Sequence, residues 1–194
     1  MAGEKKKNRK ELIEETALRL FSSAGYHATS VDSIVQAAGV SKGLFYFHYE
    51  SKGDLLQSMM YRTLAGLWSG VYQEKDASIT PIKSLERFLD SYFLNIKKNE
   101  QESRLYISMM LLNPGLFDSS VVRHMESYRN LIGFMEWVFG RMGCPEPKQE
   151  RIYFSNLIFG VEMRYFTKKS SRERELSEMK KMILEKYRLL QPSH

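Results

Sequence analysis

Two stretches of the sequence carry groups that can bind phosphate. Five basic residues lie within six positions near the N-terminus, namely Lys5, Lys6, Lys7, Arg9 and Lys10. Further along, Ser51-Lys52-Gly53-Asp54 has the Ser-x-x-acid form of a helix start, where free backbone amides favour an anion and Lys52 adds charge. The basic run has two interpretations that stay open: it lies along a phosphate backbone or minor groove, or it is a solvated, disordered tail.

Residues suited to metal binding or catalysis do not cluster. The four histidines are far apart and, even with the single Cys144, show no metal-ligand spacing; they are His27, His48, His124 and His194. No phosphate-cradling glycine loop, nucleophile elbow or zinc-protease motif occurs. We therefore expect no bound metal, no cofactor and no enzymatic activity. A helical enzyme would need clustered acids, bases or metal ligands in a cleft.

Composition is that of an ordinary folded protein. The chain has 194 residues, 43% of them hydrophobic, and 29 Lys plus Arg against 23 Asp plus Glu, which gives a net charge of +6. This basic balance weakly favours an anionic partner. One cysteine and no Asn-x-Ser/Thr acceptor favour a reducing, cytoplasmic location. No signal peptide or membrane-spanning run is expected.

The excess of positive charge is uneven along the chain. Residues 1–10 carry 5 basic and 1 acidic side chains, whereas residues 11–56 carry 3 basic and 6 acidic ones. Residues 161–194 carry 9 basic and 5 acidic side chains. The charge that hints at an anionic partner thus lies mainly outside residues 11–56.

Helices must position these groups. Apolar residues recur at spacings of three and four throughout, and the five prolines lie where such patterns begin or end, so we predict an all-α protein. The predicted helices span 10–23, 31–38, 42–49, 52–75, 81–98, 103–113, 119–142, 147–169 and 173–190.

The first three helices form a compact unit. Thr29-Ser30-Val31-Asp32 has the form of a capping box for the second helix. Gly39 can turn left-handed after that helix and Ser41 can cap the next one. Two short helices joined by about three residues have the geometry of a helix-turn-helix.

These residues resemble the DNA-binding domain of TetR-type bacterial transcriptional regulators. The resemblance covers about residues 10 to 56 and is carried by Gly25-Tyr26-His27-Ala28-Thr29-Ser30-Val31, Ile34, Ala37-Ala38-Gly39-Val40-Ser41-Lys42-Gly43, Phe45-Tyr46-Phe47-His48-Tyr49 and Ser51-Lys52. It implies an N-terminal helix-turn-helix domain, residues 1–50, and a helical effector-binding and dimerisation domain, residues 51–194.

The resemblance also implies which residues meet a double-stranded DNA operator. Carried over by position, the DNA-binding set is Thr29, Ser30, Ser41, Lys42, Gly43, Leu44, Tyr46, Phe47, His48 and Lys52. Ser41, Tyr46, His48 and Lys52 fall where phosphate contacts are typical, which fixes position rather than reads sequence. Leu44 and Phe47 fall where bases are read and can touch thymine methyls, but they donate no hydrogen bond.

The second domain carries many methionines and aromatic residues, which suit an adaptable apolar pocket and equally suit an ordinary core. The candidate pocket residues are Leu64, Trp68, Phe88, Tyr92, Tyr106, Met110 and Tyr128. The helix from Pro147 is apolar on two opposite faces, so one face needs a second partner, either another part of the chain or another subunit. A four-helix interface between two copies is the hypothesis. The candidate dimer residues are Phe154, Ile158, Val161, Tyr165, Met182 and Leu189.

The sequence therefore predicts a homodimeric DNA-binding regulator, a repressor released from its operator by a small apolar or aromatic effector. The alternative is a helix-turn-helix module that binds DNA or protein without an effector.

Overall fold

A computed structural model describes residues 8–69, 75–112, 119–167 and 172–189, and within these ranges the regular secondary structure is entirely helical. The helices are α1 (Arg9–Ala24), α2 (Val31–Ala38), α3 (Lys42–His48), α4 (Lys52–Ser69), α5 (Pro81–Lys98), α6 (Glu100–Leu112), α7 (Ser119–His124), α8 (Glu126–Arg141), α9 (Pro147–Thr167) and α10 (Arg172–Leu189). The all-α prediction is confirmed.

The chain divides into two compact units. Unit 1 comprises Met1–Thr63 with Gln101–Asp118, and unit 2 comprises Leu64–Glu100 with Ser119–His194. The division falls inside α4 and near the start of α6, whereas the domain boundary predicted from the resemblance falls at residue 50. The difference arises because the first part of α4 packs into the core of unit 1 through Leu55, Leu56 and Met59.

Local side-chain chemistry sets the helix ends in unit 1. Asn8 and Glu11 form a capping box at the start of α1. The box at α2 is formed by Ser30 and Ser33, one residue later than the predicted pair Thr29 and Asp32. Gly39 adopts the predicted left-handed conformation, with φ of 63°, which an L side chain disfavours.

One predicted helix is two. The expected helix 119–142 is interrupted at Met125, whose extended backbone separates α7 from α8. No proline or glycine marks this break, so periodicity alone runs across it. The predicted helix ends at Lys169 and Leu190 lie outside the described residues, and the predicted end at Lys75 follows a segment that is not described. Lys5, Lys6 and Lys7 of the basic run also lie outside the described residues.

The two units have separate apolar interiors. Unit 1 is built around Ile13, Ile34, Phe45 and Leu55, each with no exposed surface. In unit 2, α8 packs on α9 and α5, and α10 packs on α5 and α9. Its interior is aromatic, with Phe139, Phe154 and Tyr187 in mutual ring contact at centroid distances of 5.2 to 5.9 Å. No described helix is long and apolar enough to cross a membrane.

Candidate nucleic-acid interface

The turn between α2 and α3 is fixed at both ends. The Val40 amide donates to the Val35 carbonyl across Gly39 at 3.1 Å. The Ser41 hydroxyl then accepts from the Leu44 amide at 3.2 Å and caps α3. Because the Ser41 oxygen is used locally, its role here is to start the helix.

The outer side of α3 is aromatic. Phe45 has no exposed surface, while the next two residues point outward, with Tyr46 50% and Phe47 80% exposed. The Tyr46 ring rests edge-on against Phe45 at 5.4 Å, and the Phe47 ring lies 5.0 Å from the half-buried His48. An exposed phenylalanine has no core to fill, so this surface is suited to contact a partner.

Basic and backbone groups border these rings at the start of α3. Lys42 is exposed and pairs with Asp32 at 2.7 Å, which raises the pKa of the Lys42 ammonium through a hydrogen bond and Coulomb attraction. Gly43 is exposed, whereas Leu44 is half-buried and offers less surface than Phe47. The start of α3 can thus present a lysine and free amides to an anion.

Lys52 joins the start of α4 to the connection between α1 and α2, and we call this contact the Lys52 clamp. Its ammonium donates to the carbonyls of Tyr26 and Thr29 at 2.8 and 2.7 Å and lies 4.4 Å from the centre of the Tyr26 ring. An ammonium has three N–H donors. Two of them hold the α1–α2 connection to the start of α4, and this explains the lysine independently of any phosphate.

Thr29 is a correction to the predicted DNA-contact set. Its side chain is only 3% exposed and donates to the Gly25 carbonyl at 2.8 Å, so it has no surface to offer DNA. Ser30 is exposed, but its hydroxyl caps α2 at Ser33. Both residues shape the chain before α2.

A polar contact that the sequence pattern does not reveal lies beneath α3. The Tyr49 hydroxyl donates to Glu14 Oε1 at 2.6 Å, and Arg62 pairs with the other carboxylate oxygen of Glu14. Glu14 is 2% and Tyr49 3% exposed. Burial, aided by the charge of Asp54, raises the pKa of Tyr49 to about 12. The only sequence signal is an acid beside the apolar stripe of α1.

The predicted pocket residues are divided between the two units. Tyr106 and Met110 lie in unit 1, and the remaining five lie in unit 2. There Trp68 contacts Tyr128 at 4.9 Å and Phe88 stacks on Tyr92 at 5.6 Å, while Leu64 is 3% exposed.

A cavity of about 160 Å³ lies within unit 1. It is lined by residues of α1, α4 and α6, namely Glu14, Glu15, Leu18, Met59, Met60, Arg62, Thr63, Glu102, Leu105 and Tyr106. Tyr106 is the one predicted pocket residue in this lining.

Unit 2 contains a half-buried acid, Glu162, next to its aromatic residues. Tyr92 donates to Glu162 Oε1 at 2.5 Å. Burial raises the pKa of Glu162 to about 7, and the Tyr92 hydrogen bond opposes part of that rise. Glu162 thus changes charge near neutral pH. Nothing in the sequence around Glu162 indicates this property.

The dimer prediction needs a correction on α9. The side chains of Phe154, Ile158, Val161 and Tyr165 are 2 to 6% exposed because they fill the chain's own core. The exposed apolar residues are instead Ile152 and Tyr153 on α9, and the predicted Met182 and Leu189 on α10, with 50 to 86% of their surface accessible.

No metal site is formed by the described residues, which contain no suitable group of three or more His, Cys, Asp or Glu. A capped helix-turn-helix with exposed aromatic side chains is typical of the class of helical nucleic-acid-binding domains.

Comparison with known proteins finds a family match near the N-terminus. Residues 13–59 match the family of bacterial regulatory proteins called tetR. The HTH-type transcriptional regulator YuxN of Bacillus subtilis is 30% identical over 140 residues, which cover 66% of this chain and 47% of YuxN. Residues 13–59 thus match the TetR family model at the positions that carry the predicted resemblance.

Two further relatives have names that state a direction of regulation. The transcriptional activator FasR of Mycolicibacterium smegmatis is 34% identical over 46% of this chain and 41% of its own length. The negative regulator IcaR of the Staphylococcus aureus biofilm operon icaADBC is 26% identical over 52% of this chain and 53% of its own length. The chain thus spans about half the length of these relatives, whose names describe transcriptional regulators.

The whole fold also has solved counterparts. A tetR-family regulatory protein from Rhodococcus RHA1 matches with a TM-score of 0.73 over 97% of this chain and 100% of its own, at 16% identity. This likeness concerns the fold.

Proposed function

We propose that the protein is a DNA-binding transcriptional regulator that acts as a homodimer, with α3 as the recognition helix in the major groove. The observation that carries the proposal is the exposed pair Tyr46 and Phe47 on a helix whose other side is anchored by the buried Phe45. A rigid helix with an outward aromatic surface and free amides at its start suits a duplex.

Each exposed residue of α3 has a proposed task. The Tyr46 hydroxyl donates to a phosphate, Lys42 exchanges part of its pairing with Asp32 for a phosphate, and Phe47 contacts thymine methyls. The amides at the start of α3 and α4 add backbone contacts. Specificity then depends on apolar contact and DNA shape more than on hydrogen bonds to base edges.

The binding proposal is tested with duplexes enriched from a random-sequence library by the purified protein. Phe47→Ala should reduce the preference for the enriched duplex over a scrambled one, by about 1–3 kcal/mol for a lost base contact. Tyr46→Phe should weaken both duplexes alike. Tyr128→Phe, which removes a half-buried hydroxyl in unit 2 outside both the proposed DNA surface and the proposed dimer surface, is the matched control. Equal binding of enriched and scrambled duplexes by the unaltered protein would favour the alternative function, a helix-turn-helix module that binds DNA without sequence preference.

The dimer is proposed to use the exposed apolar side chains of α9 and α10. Ile152, Tyr153, Met182 and Leu189 are half or more exposed, and two helices from each copy suffice for a four-helix interface. Met182→Glu with Leu189→Glu should give a monomer in sedimentation at micromolar concentration. A dimer unchanged by both substitutions would place the interface elsewhere.

Regulation is proposed to be repression relieved by a small apolar or aromatic effector bound in unit 2. The paired rings of Trp68 with Tyr128 and of Phe88 with Tyr92 support this choice of effector, and the negative regulator IcaR supports repression. A reporter with the enriched duplex at its promoter should fall when the protein is expressed, whereas a rise would identify an activator. Small apolar or aromatic compounds that raise the Tm of the protein should also release it from the duplex. Trp68→Ala should abolish both the rise in Tm and the release.

A further inference from the structure

We propose that Glu14, Tyr49 and Arg62 are positioning residues that set the orientation of recognition helix α3 for operator binding. The inference rests on the proposed DNA-binding function and assigns no DNA contact to any of the three. They act through α3, whose outer residues Tyr46 and Phe47 meet the duplex.

Tyr49 ties the end of α3 to another helix. Its backbone amide donates to the Phe45 carbonyl at 2.9 Å and closes the last turn. Its ring lies 5.8 Å from the Phe45 ring, and its hydroxyl reaches Glu14 on α1 at 2.6 Å. One side chain therefore joins the helix end, the buried side of α3 and α1.

Glu14 needs both of its partners. A carboxylate that is 2% exposed has lost almost all contact with water, and such a group is stable only when its oxygens are paired. Tyr49 serves one oxygen and Arg62 the other. Any movement of α3 that withdraws the Tyr49 hydroxyl leaves a buried charge with one partner, so the carboxylate opposes that movement.

The restraint from Glu14 adds to the packing of Phe45 and Tyr49 in the core of unit 1. The cavity of about 160 Å³ is lined by Glu14 and Arg62, so the space beside the carboxylate is not filled by apolar side chains. The lining contains no residue of α3, so the directional hydrogen bonds of Glu14 act together with the close packing of Phe45 and Tyr49 in aligning that helix. Arg62 lies one residue before Thr63, where unit 1 ends within α4.

Orientation matters because α3 is short. Its seven residues extend about 10 Å, so a tilt of about 10° moves one end by about 2 Å relative to the other. A shift of that size separates Phe47 from a base edge while leaving the helix itself intact. Loss of the restraint should therefore weaken operator recognition more than phosphate attraction.

The test compares Tyr49→Phe with Tyr187→Phe. Tyr187 is a buried tyrosine of unit 2 that donates to Glu150 at 2.7 Å, the same kind of pair far along the chain. Each variant is assayed at a temperature where circular dichroism shows it folded, against the duplex enriched by the unaltered protein and against a scrambled duplex.

Tyr49→Phe should lower affinity for the enriched duplex about tenfold, the effect of about 1.4 kcal/mol, and lower affinity for the scrambled duplex less. The salt dependence of binding should stay unchanged because no phosphate contact is lost. Tyr187→Phe should lower the Tm and leave operator affinity within about twofold.

Equal operator affinity of folded Tyr49→Phe and the unaltered protein would overturn the inference while leaving the proposed function standing. Failure of the unaltered protein to enrich any duplex would overturn both. If Tyr49→Phe does not fold, Glu14→Gln serves instead, since its amide oxygen still accepts from Tyr49 while the charge facing Arg62 is lost. That variant should lose operator affinity at least threefold, and an unchanged affinity again refutes the positioning role.

Discussion

Stability of unit 2 should fall as the pH rises from about 4.5 to 7, because of Glu162. Its pKa is raised in the folded protein from the ordinary 4.5 to about 7, chiefly by burial. Below pH 4.5 the carboxyl is protonated in both folded and unfolded chains. As the pH rises, the unfolded chain releases its proton first, so the folded state loses relative stability until Glu162 itself ionises near pH 7.

The size of the effect follows from the two pKa values. Their difference corresponds to about 3 kcal/mol at 1.36 kcal/mol for each pKa unit. Because part of the Glu162 surface remains accessible, we expect about 2 kcal/mol. Glu162→Gln lacks the titration, so its free energy of unfolding relative to the unaltered protein should rise by that amount between pH 4.5 and 7.5.

Urea unfolding followed by tryptophan fluorescence measures this difference, since both tryptophans, Trp68 and Trp137, belong to unit 2. Tyr92→Phe removes the hydrogen bond that favours the ionised form, so it should extend the fall to higher pH. Tyr128→Phe, which loses a hydroxyl elsewhere in the unit, should leave the midpoint where it is. A constant difference between Glu162→Gln and the unaltered protein from pH 4.5 to 8 would refute the reasoning.

Three further outcomes are expected. Lys52→Met loses the bonds to the Tyr26 and Thr29 carbonyls and should lower the free energy of unfolding by about 2 kcal/mol in urea; a change below about 0.5 kcal/mol would contradict the clamp. Gly39→Ala meets no neighbour within 4 Å but must hold a positive φ, so thermal unfolding should show a loss of about 1 kcal/mol, and an unchanged Tm would contradict it. Replacing the lysines at positions 5–7 by alanine, which spares the cap of α1 at residue 8, should flatten the salt dependence of DNA binding while site preference stays; lost preference would make this run a reader of sequence.

Local signals predicted the helix-turn-helix well. Glycine at the end of α2 and serine before α3 have strong conformational preferences that act over a few residues, and Gly39 and Ser41 behave accordingly. The extent of α2 and α5 follows from periodicity with a cap or proline at the start, and both helices match their predicted bounds.

Long-range partners decide the features that the sequence left unresolved. Both faces of α9 are apolar. The sequence pattern therefore predicts two apolar surfaces, but it does not indicate which of them packs against the rest of the same chain. Glu14 is buried because Tyr49 and Arg62 reach it from 35 and 48 residues away. No pattern within α1 distinguishes that glutamate from the exposed Glu15 beside it.

The acidic balance of residues 11–56, with 3 basic and 6 acidic side chains, conflicts with DNA binding only if every acid faces the duplex. Glu14 does not, because it is buried and neutralised by Arg62, which lies beyond that segment. Asp54 is also used locally, where its carboxylate accepts from the Glu50 amide at 2.9 Å near the start of α4. Part of the formal negative charge is therefore used in contacts within the fold. The surface around Tyr46 and Phe47 is less acidic than the count of charged residues in 11–56 implies. Attraction to phosphate then depends on Lys42, the helix amides and the basic run rather than on net charge.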